Sequence, residues 1–456
     1  MTYREALDTL GRCRRLGMKL GLEKMEALAA ALGHPQTRLR FLHIAGTNGK
    51  GSTAAFCDAA LRQRGLPIGQ KTGLFTSPHL ATVRERIRID GTAISREDFA
   101  TGLSEVLAAA QQLPESLGEP TFFELLTALA LHHFAQNQVT WVVWETGLGG
   151  RLDSTNLVTP AVSIITNIAA DHQEFLGPDL SSIAREKAGI IKPTLPVVTA
   201  VTAPEALAVI RATAKEQNSP LHEIDSVAPV IDLGPEDGRQ KVRIGNHEYG
   251  LALLGAHQAR NAACAITALS LLSLNPPLSP SELASAFAQV DWPGRFQPLR
   301  WNPPLIVDGG HNSDGIAAAV AAWKALFGTT TCHLVYGTLG DKDAAAAACL
   351  LLPLAHRVTL VRPASDRASD PVRLAPFFTP LPVTLDPSLP ELWPTLETSP
   401  EPTLLIGSLV LAGDALRLAG KTEEEEAQLN ELLSPAPAAP LESAHESPPS
   451  TPEQRC

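Results

Sequence analysis

Phe41-Leu42-His43-Ile44-Ala45-Gly46-Thr47-Asn48-Gly49-Lys50-Gly51-Ser52-Thr53 runs from an apolar strand into a glycine-rich turn with a lysine and hydroxyls, then into a helical pattern. That order predicts a phosphate cradle. Glycines let successive backbone N–H groups converge on phosphate oxygens, Lys50 can reach the β- and γ-phosphates, and the helix beginning near Ser52 offers its positive dipole end. ATP or GTP is the expected ligand. The spacing departs from the common P-loop, because Gly51 separates Lys50 from Ser52 and Gly46 stands three residues before Gly49 instead of five. A lone Gly-x-x-Gly is an ordinary turn in most chains; strand, lysine, hydroxyls and helix together set this one apart.

The rest of the chain narrows the class. At 456 residues it exceeds one typical core and suggests two or three domains. A net charge of −11 argues against a nucleic-acid track or an anionic membrane surface, either of which calls for clustered Lys and Arg. Six cysteines (Cys13, Cys57, Cys264, Cys332, Cys349, Cys456) are scattered without a Cys-x-x-Cys pair, which predicts free thiols in a reducing compartment. The start, Met1-Thr2-Tyr3-Arg4-Glu5, lacks the apolar stretch of a signal peptide, and the longest apolar run, Ala344 to Ala355, is too short to span a bilayer. A soluble cytoplasmic protein is expected.

From Phe41 onward, short apolar runs alternate with helical patterns, the signature of an α/β fold with a mostly parallel sheet. Four strands, Phe41 to Ala45, Ile68 to Phe75, Trp141 to Trp144 and Ala161 to Thr166, each empty into polar residues. Ligands of open α/β sheets sit outside the carboxyl ends of the strands, so these exits should line one cleft. Lys241 to Ile244 and Glu248 to Leu253, joined by Gly245-Asn246, read as a hairpin. Asp291-Trp292-Pro293-Gly294-Arg295-Phe296-Gln297-Pro298 breaks the pattern before a second α/β series with strands near Leu305, Leu334, Val358 and Leu404. Domains are therefore expected at 1–296 and 297–420, with a proline-rich, apolar-poor tail at 421–456 that reads as disordered.

Glu145 closes Trp141-Val142-Val143-Trp144 and opens Thr146-Gly147-Leu148-Gly149-Gly150-Arg151-Leu152-Asp153-Ser154-Thr155-Asn156. A carboxylate at a strand exit beside a phosphate loop suits a nucleotide-bound Mg²⁺, since a hard cation takes oxygen ligands. A lone glutamate more often caps a helix or faces solvent; four apolar residues before it favour the functional reading. Ile164 to His172 again carries polar groups off a strand end, with Lys187-Ala188-Gly189-Ile190-Ile191-Lys192 one helix later. By itself His172 reads as a structural histidine.

Taken in order, Gly46 to Ser52, Thr76-Ser77-Pro78-His79-Leu80, Arg84 to Ile87, Glu145 to Asn156, Asp171-His172 through Gly177, Lys187 to Lys192, Gly255 to Asn261, Pro293 to Phe296 and Asp308-Gly309-Gly310-His311-Asn312 resemble folylpolyglutamate synthase/dihydrofolate synthase, of the Mur ligase superfamily. The resemblance covers about residues 1 to 420 and implies a P-loop Mur-ligase-like domain with a parallel sheet, then a smaller Rossmann-like α/β domain. It implies an ATP-dependent amide ligase joining L-glutamate to dihydropteroate or folate, as a monomer. Two rivals are weaker. A Mur-type ligase extending a cell-wall precursor is disfavoured by the Thr76 to Leu80 and Gly147 to Asn156 motifs. A nucleotide switch would show an Asn-Lys-x-Asp guanine motif, which Asp341-Lys342-Asp343 is not.

The resemblance also implies roles. Thr47, Asn48, Gly49, Lys50, Gly51 and Ser52 would hold nucleotide, with Asn261, Arg295 and Asp308 completing that site. Ser77 and Glu145 would hold one Mg²⁺ and His172 a second, whereas phosphate-loop logic alone gives the metal to Ser52. In the family the lysine matching Lys187 is carbamylated; unmodified, it would be a structural or phosphate-binding cation. Thr121, Phe122, Phe123, Glu124, Leu152, Asp153 and Ser154 would take the pterin-bearing acceptor, with Lys19 and Leu20 nearby, although adjacent phenylalanines are usually core. His311 and Ser408 would place glutamate. Two departures fall near that last site: Val410 replaces a tyrosine of the family, and Gly310 an alanine.

Overall fold

A computed structural model describes residues 1–14, 21–64, 70–386 and 388–421; Lys19, Leu20 and the tail beyond Lys421 lie outside them, as do residues 65–69 before the second strand. The chain forms two compact units, Met1–Trp292 and the part from Pro293 onward.

The first unit is built on eight strands: β1 (Arg40–Ala45), β2 (Lys71–Phe75), β3 (Ile87–Ile89), β4 (Thr92–Ala93), β5 (Val139–Glu145), β6 (Val162–Ile165), β7 (Val197–Thr199) and β8 (Leu221–Glu223). Their order is β4-β3-β2-β5-β1-β6-β7-β8, parallel from β2 through β8 and antiparallel at β2–β3 and β3–β4. Both faces of the central strands are covered, which is why they read as continuous apolar runs: only Arg40 of β1 is exposed. The four strands singled out by their polar exits are consecutive, β2-β5-β1-β6, with Phe75 opposite Trp144, Ile44 opposite Glu145 and Ala45 opposite Ile165. Their carboxyl ends therefore open at one edge of the sheet.

The helix Lys50–Gln63 is buried on nearly every residue from Ser52 to Leu61. It packs against the helix His257–Ser270, and Phe56 meets Phe287 at 4.8 Å between ring centroids. The predicted hairpin is β10 (Arg239–Ile244) with β11 (His247–Leu251); a strand before it, β9 (Val230–Glu236), makes a three-stranded antiparallel sheet.

The second unit holds β12 (Gln297–Trp301), β13 (Pro304–Val307), β14 (Cys332–Tyr336), β15 (Ala355–Val361), β16 (Val383–Asp386) and β17 (Thr403–Ile406), ordered β12-β13-β17-β14-β15-β16. All pairings are parallel except the β12–β13 hairpin, which gives the expected Rossmann-like layering. Cys13, Cys57, Cys264 and Cys332 are free thiols, as expected. Among the described residues no helix is long and apolar enough to cross a membrane.

Candidate active site

Gly46, Thr47, Asn48 and Gly49 link β1 to the helix Lys50–Gln63, whose N-cap Gly49 is left-handed (φ 83°). A Cβ on Gly49 would fall 2.3 Å from Asn261 Oδ1, so the turn depends on glycine for both conformation and space. The same contact places Asn261 against the loop. Neighbouring residues after β6 brace it: the Thr47 N–H donates to Asn167 O (2.9 Å), the Asn48 N–H to Asn167 Oδ1 (2.6 Å), and the Thr166 hydroxyl to Asn48 O (2.7 Å). The first helical bond runs from Thr53 N–H to Gly49 O (2.9 Å), so the amides of Lys50, Gly51 and Ser52 have no acceptor within the helix and stand at its positive end. Lys50 Nζ folds back onto Gly46 O (3.0 Å) and Thr47 O (3.1 Å).

Gly46 O also accepts from Lys187 Nζ at 2.9 Å. Lys187 is 3% exposed, and burial, helped by the charge of Lys50, pulls its amine from 10.5 down to about 7. The shift favours the unprotonated, nucleophilic amine relative to an exposed lysine.

One strand over, Glu145 is 2% exposed and its Oε2 accepts the Ser77 N–H at 2.8 Å. The bond brings Ser77 beside the Glu145 carboxylate at adjacent strand exits, and a serine hydroxyl and a carboxylate are hard oxygen donors of the type Mg²⁺ takes alongside substrate phosphates. The described residues contain no group of three or more His, Cys, Asp or Glu that could hold a metal ion. His172 is left-handed (φ 50°) at the N-cap of the short helix Gln173–Leu176, its N–H donating to Asp171 Oδ1 (2.9 Å).

The acceptor candidates divide into two groups. Thr121 and Glu124 cap the helix Phe122–Gln136 reciprocally, the Thr121 N–H donating to Glu124 Oε2 (2.7 Å) and the Glu124 N–H to Thr121 Oγ1 (3.3 Å). Glu124 is further paired with buried Lys24 at 3.3 Å, a partner the sequence did not single out. Phe122 and Phe123 are both half-buried, and neither is plain core. Phe123 lies 6.0 Å from Phe75 and so close to Gly147 that a Cβ there would come within 2.4 Å of its ring. The Arg86 guanidinium lies 5.4 Å from the Phe122 ring centroid, and its Nε–H donates to His79 Nδ1 (2.8 Å). Asp153 is buried, N-capping the turn Ser154–Leu157, with Oδ2 accepting from the Leu148 N–H (2.8 Å) and Oδ1 from the Thr155 N–H (3.0 Å). Ser154 beside it is buried and Leu152 half-buried.

Within the second unit, Asp308 and Ser408 leave neighbouring strands, β13 and β17. Asp308 Oδ2 accepts the Phe296 N–H and Oδ1 the Gly310 N–H, both at 2.7 Å. A Cβ on Gly310 would lie 2.7 Å from Asp308 Oδ1, so an alanine here would require the Asp308 carboxylate to shift. His311 Nδ1 faces Gly309 O at 2.9 Å, putting the proton of the neutral ring on Nδ1. Arg295 Nη1 donates to Gly294 O (3.1 Å), and Ser408 Oγ caps the helix Leu409–Leu418 through the Leu411 N–H (3.0 Å).

Residues 44–269 match the Mur ligase middle domain, and residues 294–383 the Mur ligase glutamate ligase domain. The dihydrofolate synthase/folylpolyglutamate synthase of Bacillus subtilis is 36% identical over 365 residues, 78% of this chain and 84% of its own length. The chain belongs to the folylpolyglutamate synthase/dihydrofolate synthase family. The Mycobacterium tuberculosis folylpolyglutamate synthase solved with ADP and AMPPCP is similar at a TM-score of 0.82 and 30% identity, covering 92% of this chain and 100% of that one. E. coli FolC, solved with DHPP and ADP, gives 0.81 and 27%, covering 92% and 98%. Membership makes this chain an ATP-dependent ligase that adds glutamate, and the phosphate loop on β1 is the part of the structure suited to the nucleotide.

Proposed function

We propose that this ligase joins L-glutamate to both dihydropteroate and reduced folates, as a cytoplasmic monomer, with residues 1–296 binding ATP and acceptor and 297–420 contributing the glutamate side. The observation that carries the reading is the run of adjacent exits β2-β5-β1-β6, which sets the phosphate loop beside Glu145–Ser77 and the half-buried Phe122 and Phe123 nearby. A carboxylate is a poor acyl donor because its oxyanion leaves badly. The acceptor carboxylate attacks the γ-phosphorus of ATP, the bond to the bridging oxygen breaks, ADP leaves, and an acyl phosphate forms. The glutamate α-amine then attacks the acyl carbon and phosphate departs. Lys50 and the amides of Gly49, Gly51 and Ser52 hold the phosphates, with Thr47, Asn48, Asn261, Arg295 and Asp308 completing the nucleotide site. Glu145 and Ser77 would hold one Mg²⁺ and His172 a second, which neutralise charge on the phosphate oxygens when bound. His311 and Ser408 place glutamate.

The lowered pKa of the Lys187 amine supports carbamylation, since only an unprotonated amine adds CO₂, and the product would present an anionic oxygen group to the second ion. Extra density on Nζ and loss of activity in bicarbonate-free buffer are expected; a bare amine with full activity refutes it. For the function, purified protein receives ATP, Mg²⁺ and glutamate with either dihydropteroate or a reduced folate, and products are read by mass. Gain of one glutamate on each acceptor is expected. Product from folate alone reduces the protein to a chain extender, and product from neither overturns the acceptor.

A further inference from the structure

Two residues outside the roles above meet under the acceptor loop. His43, on β1, is fully buried, and its Nε2 lies 3.0 Å from Thr155 Oγ1; Thr155 Oγ1 in turn contacts Asp153 Oδ1, whose partner oxygen accepts the Leu148 N–H. We propose that His43 and Thr155 are positioning residues for the acceptor, acting through Asp153 to fix the loop Gly147–Asn156 on which the acceptor ring rests. This inference rests on the acceptor assignment above.

The direction of the protons follows from counting donors. Both Asp153 oxygens accept backbone N–H groups, Oδ1 from Thr155 and Oδ2 from Leu148, so the single hydroxyl proton of Thr155 points to Oδ1, and Thr155 Oγ1 accepts from His43 Nε2–H. The other ring nitrogen, Nδ1, is then bare, and it has no hydrogen-bond partner. Reversing the chain would put a proton on Nδ1 and bury an unpaired N–H, the costlier arrangement. Burial agrees with a neutral ring, drawing His43 down to about 3; burial also raises Asp153, outweighing the lowering by the Thr155 hydroxyl and the Leu148 amide. The loop so held carries Gly147, the residue packed on Phe123. One end of the chain of bonds lies on the strand that feeds the phosphate loop, the other under the aromatic surface.

The test is a split between Michaelis constants. The full-length enzyme is first shown to use dihydropteroate; if it does not, the acceptor assignment fails and not this inference. Thr155→Val should raise KM for dihydropteroate about ten-fold, the worth of a buried hydrogen bond to a charged group, with KM for ATP within about two-fold. Thr155→Ser, which keeps the hydroxyl, should restore it. His43→Leu should act in the same direction, and His43→Gln, whose amide can donate from a similar place, should rescue. Because Thr155→Val could fail to fold, Asp153→Asn provides an independent arm: it should raise the acceptor KM, and adding His43→Leu should bring no further increase. Equal rises in both KM values, no rescue by Ser or Gln, or additive effects in the double variant would each overturn the proposal.

Discussion

Two glycine-containing loops leave neighbouring strands of the same sheet, and they are built in opposite ways. The loop after β1 leaves the amides of Lys50, Gly51 and Ser52 outside the helical bonding and stacks two amines, Lys50 and Lys187, on a single carbonyl, Gly46 O. The loop after β5 turns its polar groups inward: Asp153 binds Leu148 and Thr155, and Asn156 Nδ2 donates to Arg151 O and Gly189 O. An anion needs converging donors whose bonds remain to be made. A flat heteroaromatic ring needs a stiff surface with a few fixed polar groups. On the proposed reading, the open loop takes the phosphates and the self-bonded loop the acceptor ring.

The strongest way to break this comparison is to remove charge from the first loop and its neighbour. Lys50→Ala and Glu145→Ala should each lower turnover by about a thousand-fold, the upper range for deleting a group aimed at developing phosphate charge. Circular dichroism should stay unchanged. Near-normal amide synthesis by either variant would show that the first loop is not the catalytic one.

The glycines sharpen the contrast. Gly49→Ala forces a side chain into φ 83° and into Asn261 Oδ1, so ATP binding should weaken by about thirty-fold, in line with a strained backbone position. Gly147→Ala instead drives its methyl into the Phe123 ring, and should raise the acceptor KM while leaving that for ATP within about two-fold. If both variants harmed the same substrate, the two loops would form one site without division of labour.

How legible each loop was in the sequence follows from where its partners lie. The phosphate loop is local: strand, glycines, lysine and helix are contiguous, so Phe41 to Thr53 reads directly as a cradle, and the chain order of β1, β2, β5 and β6 reads as parallel α/β. Its bracing by Thr166 and Asn167 is not local, since those residues follow a strand more than a hundred positions away. On the acceptor side, residue type was visible but environment was not. Phe122 and Phe123 look alike in sequence; only packing sets one under Arg86 and the other on Gly147. The Lys24–Glu124 pair joins helices that no spacing connects. The strand β9 escaped because Gly234-Pro235 interrupts its pattern, whereas the Gly245-Asn246 turn announced the hairpin after it.

Lys187 touches both loops, its Nζ on Gly46 O and its own carbonyl 2.9 Å from where a Cβ of Gly150 would be. Its titration therefore reports on the region between them. Unfolded, it titrates at 10.5; folded and unmodified, at about 7. Between those values the unfolded chain holds a proton that the folded chain lacks, so stability rises with pH through this window, by up to ~1.4 kcal/mol per pH unit. Below about 7 both forms are protonated and the penalty is complete. Denaturant titrations in bicarbonate-free buffer should show the slope from pH 7 to 10, and Lys187→Met should remove it. A slope unchanged in Lys187→Met would mean that another group is responsible.

The smallest effect tests whether the first loop depends on what lies behind it. Ser279 caps the helix Pro280–Phe287, accepting from the Glu282 N–H (3.3 Å) while Glu282 Oε2 accepts the Ser279 N–H (2.7 Å). That helix presses Phe287 against Phe56 on the rear of the phosphate-loop helix. Losing the cap should lower the melting temperature by about 2 °C, since a serine cap is a modest contribution in a chain of this size. The loop itself is fixed from the front by Asn167, Thr166 and Asn261, so the KM for ATP should not change in Ser279→Ala. A rise in that constant, at a temperature where the variant is fully folded, would show that rear packing reaches the phosphate amides. The open loop would then owe its shape to the core behind it as well as to its own bonds, and the contrast with the self-braced acceptor loop would narrow.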